Sequence, residues 1–148
     1  MSPRTTRSPQ LLDAASPGRS HWLELPARRS SIRVARHSMN VKLTAWRLPD
    51  GVCADAILLL SELATNAVRH TPSTRILCGI GLVSDRRLRL EVHDHDYGDA
   101  KLRPRGPGPD DESGRGLFLV EELAEAWGTD HSTLTGGKAV WATLATSH

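Results

Sequence analysis

Aromatic side chains are scarce in this chain: its 148 residues include one Phe, one Tyr and four Trp. The core must therefore be mostly aliphatic. Cysteine is equally sparse. Cys53 and Cys78 cannot build a disulfide framework, and neither belongs to a C-x-x-C pair, so a reducing cytoplasm is the expected setting. No sign of charge dominates. Lys and Arg number 19 against 17 Asp and Glu, a net +2 with no long basic run, which disfavours charge-driven binding to nucleic acid. No apolar stretch approaches the ~20 residues that span a bilayer, so no membrane association is expected. P-loop and Rossmann glycine patterns are missing, and no Ser-His-Asp or Cys-His arrangement stands out.

What is present fits one soluble globular domain, with 39% hydrophobic and 24% charged residues. Residues 1–20 carry Arg4, Arg7 and Arg19 among Ser, Thr and Pro and lack the apolar centre of a secretory signal. They read as a disordered tail, leaving 21–148 as the domain. A short strand is expected over 21–25, a basic-start helix over 27–46, and the strongest helix over 52–70. In the last of these Ile57, Leu60, Ala64, Ala67 and Val68 share a face and Pro72 ends the run. Residues 75–83 and 87–93 form a hairpin. The alternation Leu88-Arg89-Leu90-Glu91-Val92 predicts a sheet with one wet face. Residues 98–113, rich in Pro, Gly and basic side chains, read as a long loop of the kind that serves as a lid. A helix over 116–127 and a hairpin of 128–133 with 138–144 close the chain. The order predicts an α+β fold, a two-layer sandwich with helices on one face of a mixed, mostly antiparallel sheet.

Three segments carry candidate chemistry. Glu62 and Asn66 stand one turn apart on a helix, with His70 continuing the line. An Asn amide oxygen suits Mg²⁺, and a carboxylate can accept a proton from an attacking hydroxyl or water. The same pair would equally serve as a solvated helix edge. Asp94 follows a strand, with Gly98 four residues on; a carboxylate there can accept from the exocyclic amine of adenine, or simply form an acidic turn. Gly114-Arg115-Gly116-Leu117 opens a helix whose free N–H groups attract phosphate, or forms an ordinary loop-to-helix junction. His93, Asp94, His95 and Asp96 alternate across a strand and find no matching cluster, which argues against a structural zinc site. Cys78 reads as core.

Taken together, Glu62…Asn66, Asp94…Gly98 and Gly114-Arg115-Gly116 resemble the N, G1 and G2 boxes of the GHKL ATPase superfamily. The closer likeness is to its bacterial branch of anti-sigma-factor serine kinases, the histidine-kinase-like ATP-binding proteins. It rests on Leu59-Leu60-Ser61-Glu62-Leu63-Ala64-Thr65-Asn66-Ala67-Val68-Arg69-His70, on Gly114 through Gly128, and on Gly137-Lys138-Ala139-Val140-Trp141, within about His21 to Leu144. The resemblance implies a Bergerat-type sandwich binding Mg²⁺ and ATP. Asn66 would hold the metal and Glu62 would be the general base. Asp94 would read adenine, Gly98 would pack near it, and Gly114, Arg115, Gly116 and Leu117 would meet the phosphates. Members of this branch phosphorylate a serine on an anti-sigma factor antagonist, hold a sigma factor when the antagonist is absent, and are often homodimers. Two positions depart from the pattern. Asp96 stands where many members have Gly, implying a tighter or shifted adenine pocket, and Ala139 stands where relatives often carry Thr. The expected function is thus an ATP-dependent protein-serine kinase. The alternatives are a non-catalytic module that grips a sigma factor or antagonist by its basic first helix, and a stand-alone ATPase.

Overall fold

Seven elements define the fold in a computed structural model that describes residues 19–70, 72–95 and 119–146. In chain order they are β1 (Ser20–Pro26), α1 (Arg29–Ala45), α2 (Asp50–His70), β2 (Arg75–Ser84), β3 (Arg87–Asp94), β4 (Ala126–His131) and β5 (Lys138–Ala145). The strands form one sheet in the order β1-β2-β3-β5-β4. All four ladders are antiparallel, so the described sheet has no parallel component of the kind "mixed" had implied. The two long helices pack on each other, with α1 also against β1 and α2 against β2, β3 and β5.

Local chemistry explains the helices. The amide of Cys53 bonds to the Pro49 carbonyl and starts α2. Asp50 sits in its first turn and Arg69 and His70 in its last, matching the helix dipole at both ends. At the end of α1, Arg47 turns left-handed (φ 63°). Its amide bonds to the Thr44 carbonyl and that of Leu48 to Leu43, a Schellman closure that usually uses glycine.

The core lies between the helices and one face of the sheet. Met39 and Leu43 of α1, Leu59, Leu60 and Leu63 of α2, and Ile76, Cys78, Ile80, Leu88, Leu90 and Val92 of the strands are buried in it. Burial pushes the Cys78 thiol up to about 12.

Four expectations need correction. The buried stripe of α2 is Val52, Cys53, Ala56, Leu59, Leu60, Leu63 and Ala64. Ile57, Ala67 and Val68 lie at its margin. The run Ile57-Leu58-Leu59-Leu60 offers apolar groups all round, and packing on the sheet chooses among them. For the same reason α2 is, by length and composition, apolar enough to cross a bilayer, although its stripe is spent on this core. The described part of the last helix covers 119–123, and Ala126 and Trp127 are already strand, paired with Thr143 and Ala142. Finally, β3 has no wet face: after the exposed Arg87 every residue to Asp94 is buried. The tail expected over 1–20 lies outside the described residues except for Arg19 and Ser20, which is already in β1. The expected loop over 98–113 also lies outside them.

Candidate functional site

The register of the sheet sorts its side chains. Ile76 pairs with Asp94, and Ile76 belongs to the core, so Asp94 ends β3 on the helix side. It is only 5% exposed. A buried carboxylate must be hydrogen-bonded. The backbone amide of Lys138 donates to its Oδ1 at 2.9 Å. The Thr135 hydroxyl donates to the Asp94 carbonyl at 2.5 Å and accepts from the Gly137 amide at 3.1 Å. The following residue is fixed as well. The amide of His95 donates to Ser73 Oγ, and its ring Nε2 meets Glu24 Oε2 at 2.9 Å.

Glu62 and Asn66 lie one turn apart on α2, both half-buried, beside the stripe that faces the sheet. Neither is locked into the core, and neither stands fully in water. Such a pair can coordinate or abstract, because its polar atoms keep access to a ligand while the helix fixes their spacing. Among the sequence-predicted site residues, Glu62, Asn66 and Asp94 thus belong to two elements that pack together, α2 and β3. Gly98, Gly114, Arg115, Gly116 and Leu117 lie outside the described residues. An anionic acceptor at a buried strand end suits an amine-bearing base, and a carboxylate and amide on a half-buried flank suit a hydrated cation. The donor set therefore fits a magnesium nucleotide.

The opposite face of β3 holds what the sequence reading missed. Arg89, Glu91 and His93 alternate with Leu88, Leu90 and Val92 and so share the far side. Arg89 Nε donates to Glu91 Oε2 at 2.6 Å. His93 Nε2 lies 2.7 Å from Glu91 Oε1, and Nδ1 lies 2.6 Å from Ser132 Oγ. Glu91, His93 and Ser132 are wholly buried. Arg89 stacks over Trp141 at 4.5 Å, and Trp22 meets His93 edge-on with ring centroids 5.5 Å apart. Ser132 Oγ also accepts the amides of Leu134 and Thr135, at 3.1 and 2.9 Å. A serine two and three residues before those amides is a turn signal that could have been read in the sequence.

The family model of the histidine kinase-like ATPase domain matches residues 25–144, from the end of β1 into β5. No curated protein sequence matches the chain. Among solved structures the chain is similar to the crystal structure of the RsbU and RsbW domains of Rv1364c from Mycobacterium tuberculosis, at 22% identity and a TM-score of 0.65. That match covers 87% of this chain and 33% of the other, so this chain spans about a third of that one and the likeness concerns the fold. With the family pattern running through all seven elements, the chain belongs to the histidine kinase-like ATPase family.

Proposed function

We propose that this protein is a regulatory protein-serine kinase that transfers the γ-phosphoryl group of ATP to a serine on an anti-sigma factor antagonist. The observation that carries the reading is the Glu62–Asn66 pair on the half-buried flank of α2, beside the strand that ends in a buried, backbone-anchored Asp94. A protein that only bound partners would need neither side chain there.

In this reading Asp94 accepts from the adenine amine, and Gly98 packs near the ring. Gly114, Arg115, Gly116 and Leu117 meet the phosphates. Asn66 is the protein's ligand to Mg²⁺, which when bound neutralises phosphate charge. Glu62 takes the proton of the serine hydroxyl as its oxygen bonds to the γ-phosphorus. The bond from that phosphorus to the β–γ bridging oxygen breaks, and ADP leaves. The domain comprises 21–148 and acts in the cytoplasm.

The partner reading has its own support. Helix α1 exposes Arg29, Arg33 and Arg36, follows the exposed Arg28, and has no acidic residue in its first turn. Val34 and Val41 beside them are 50% and 56% exposed. A basic face with apolar points suits an acidic protein surface such as a sigma factor or its antagonist would have to offer.

Calorimetric titration with Mg·ATP and a phosphoryl-transfer assay on the purified antagonist test the reading. Asn66→Ala abolishes transfer in a folded protein. Glu62→Ala keeps ATP binding and loses turnover, because removing a base spares the ground state. Full turnover in both variants removes Glu62 and Asn66 from the mechanism, and a wild-type protein that transfers no phosphoryl group overturns the kinase reading and leaves the binding module in its place.

A further inference from the structure

We propose that Ser132 and His93 are positioning residues for adenine selection: from the far side of the sheet they hold the 132–138 turn that aims the Asp94 carboxylate. This rests on the reading of Asp94 as the adenine acceptor and adds to it how that carboxylate is set.

The argument begins with neighbours in sequence. His93 and Asp94 are consecutive in a strand, so their side chains leave opposite faces. Both grip one turn. On the helix side, Asp94 receives the Lys138 amide on Oδ1 and the Thr135 hydroxyl on its carbonyl. On the far side, His93 Nδ1 holds Ser132, whose backbone closes the turn through Ser132 N to the Gly137 carbonyl (2.8 Å) and Gly136 N to its own carbonyl (3.0 Å). Gly136 takes a φ of 83°, which the turn needs and a side chain would resist.

Satisfying Ser132 fixes the direction of every bond in the chain. Its oxygen accepts two amide hydrogens, so its own hydrogen needs an acceptor, and His93 Nδ1 is the group in reach. His93 must then carry its hydrogen on Nε2 and donate it to Glu91 Oε1, whose other oxygen takes Arg89. The hydrogen bonds converge on the Glu91 carboxylate: Ser132 donates to His93, His93 donates to Glu91 Oε1, and Arg89 donates to Glu91 Oε2. This network locks the imidazole, hence the serine, hence the turn. All of it is buried, so water cannot replace a lost member cheaply.

Replacing Ser132 by alanine frees His93 Nδ1 and the amides of Leu134 and Thr135. The turn then loosens, and with it the grip of the Lys138 amide on Asp94. The test compares wild type, Ser132→Ala, Thr135→Val and Asp94→Asn in the full chain, measuring ATP and GTP affinity by calorimetry and the thermal midpoint without nucleotide. The expected result is that Ser132→Ala weakens ATP by about tenfold, the loss of one good hydrogen bond, while GTP affinity is unchanged, so that the ATP preference falls. Thr135→Val shifts the preference in the same direction and decides the matter if Ser132→Ala does not fold. A purely structural role would lower the thermal midpoint and leave the ATP-to-GTP ratio alone. That outcome, with Asp94→Asn reducing the ratio, overturns the proposal while sparing the adenine reading. An unchanged ratio in Asp94→Asn overturns both.

Discussion

The two faces of one sheet solve burial in different ways. On the helix side, Leu88, Leu90 and Val92 of β3 pack with α2 in an aliphatic core, completed by Met39 and Leu43 of α1, that any close-packed set of similar volume could fill. On the far side, the alternate residues Arg89, Glu91 and His93 are equally buried but must be satisfied atom by atom. The first face is tolerant of chemistry and sensitive to volume. The second is sensitive to both, and a half-satisfied network is worse than none. The helices cover the first face, and Trp22, Trp141 and Ser132 pack against the side chains of the second.

The largest effect should come from breaking the polar face. Glu91→Ala leaves Arg89 buried without its carboxylate and should cost about 3–5 kcal/mol in urea unfolding. Leu90→Ala on the other face should cost about 2–5 kcal/mol by leaving a cavity. The contrast sharpens in a third variant: replacing Arg89, Glu91 and His93 together by Met, Leu and Leu should restore most of the stability lost in Glu91→Ala. A triple variant as unstable as the single one would mean that the far face depends on its charges for more than mutual satisfaction.

Next comes a steric difference. Gly79 lies beneath Trp22, and a Cβ there would come within 2.5 Å of the indole. Gly79→Ala should cost about 1–3 kcal/mol by overpacking, and a simultaneous Trp22→Leu should relieve much of it. Thermal melts of the two variants check this.

On the helix side the strain is in the backbone. Arg47→Gly removes the left-handed cost at the end of α1 and should raise stability by about 1 kcal/mol, read as a higher urea midpoint at constant slope.

The smallest effect is electrostatic. Burial first, and Lys42 second, hold His21 below its ordinary value, while Nε2 meets Ser38 Oγ at 2.8 Å. The unfolded chain therefore takes up a proton at higher pH than the fold does. Stability should be intact at pH 7 and decline as pH falls through 6.5 and below. A flatter Tm–pH profile in His21→Gln would confirm it.

Much of the fold could be read from residues. Turn chemistry at Ser84-Asp85-Arg86 and the break at Leu48-Pro49-Asp50-Gly51 place element ends to within a few positions of those observed. What failed did so for physical reasons. Alternation in β3 shows that its two faces differ, but charged residues at every second place look the same whether they meet water or one another. Trp127 continues a helical spacing from Leu119, Val120 and Leu123, yet pairing with Ala142 draws it into β4. For the candidate site, spacing alone brings Glu62 beside Asn66. The anchoring of Asp94 by Thr135 and Lys138 was not legible, because it joins residues some forty positions apart through main-chain atoms.

That last contact has a consequence for mutagenesis. The donor at residue 138 is a peptide nitrogen, so nineteen of the twenty amino acids can supply it and only proline cannot. A scan with alanine would leave this donor in place and so could not reveal it. The bond to Asp94 is written into the main chain, and only a change that removes the peptide hydrogen deletes it.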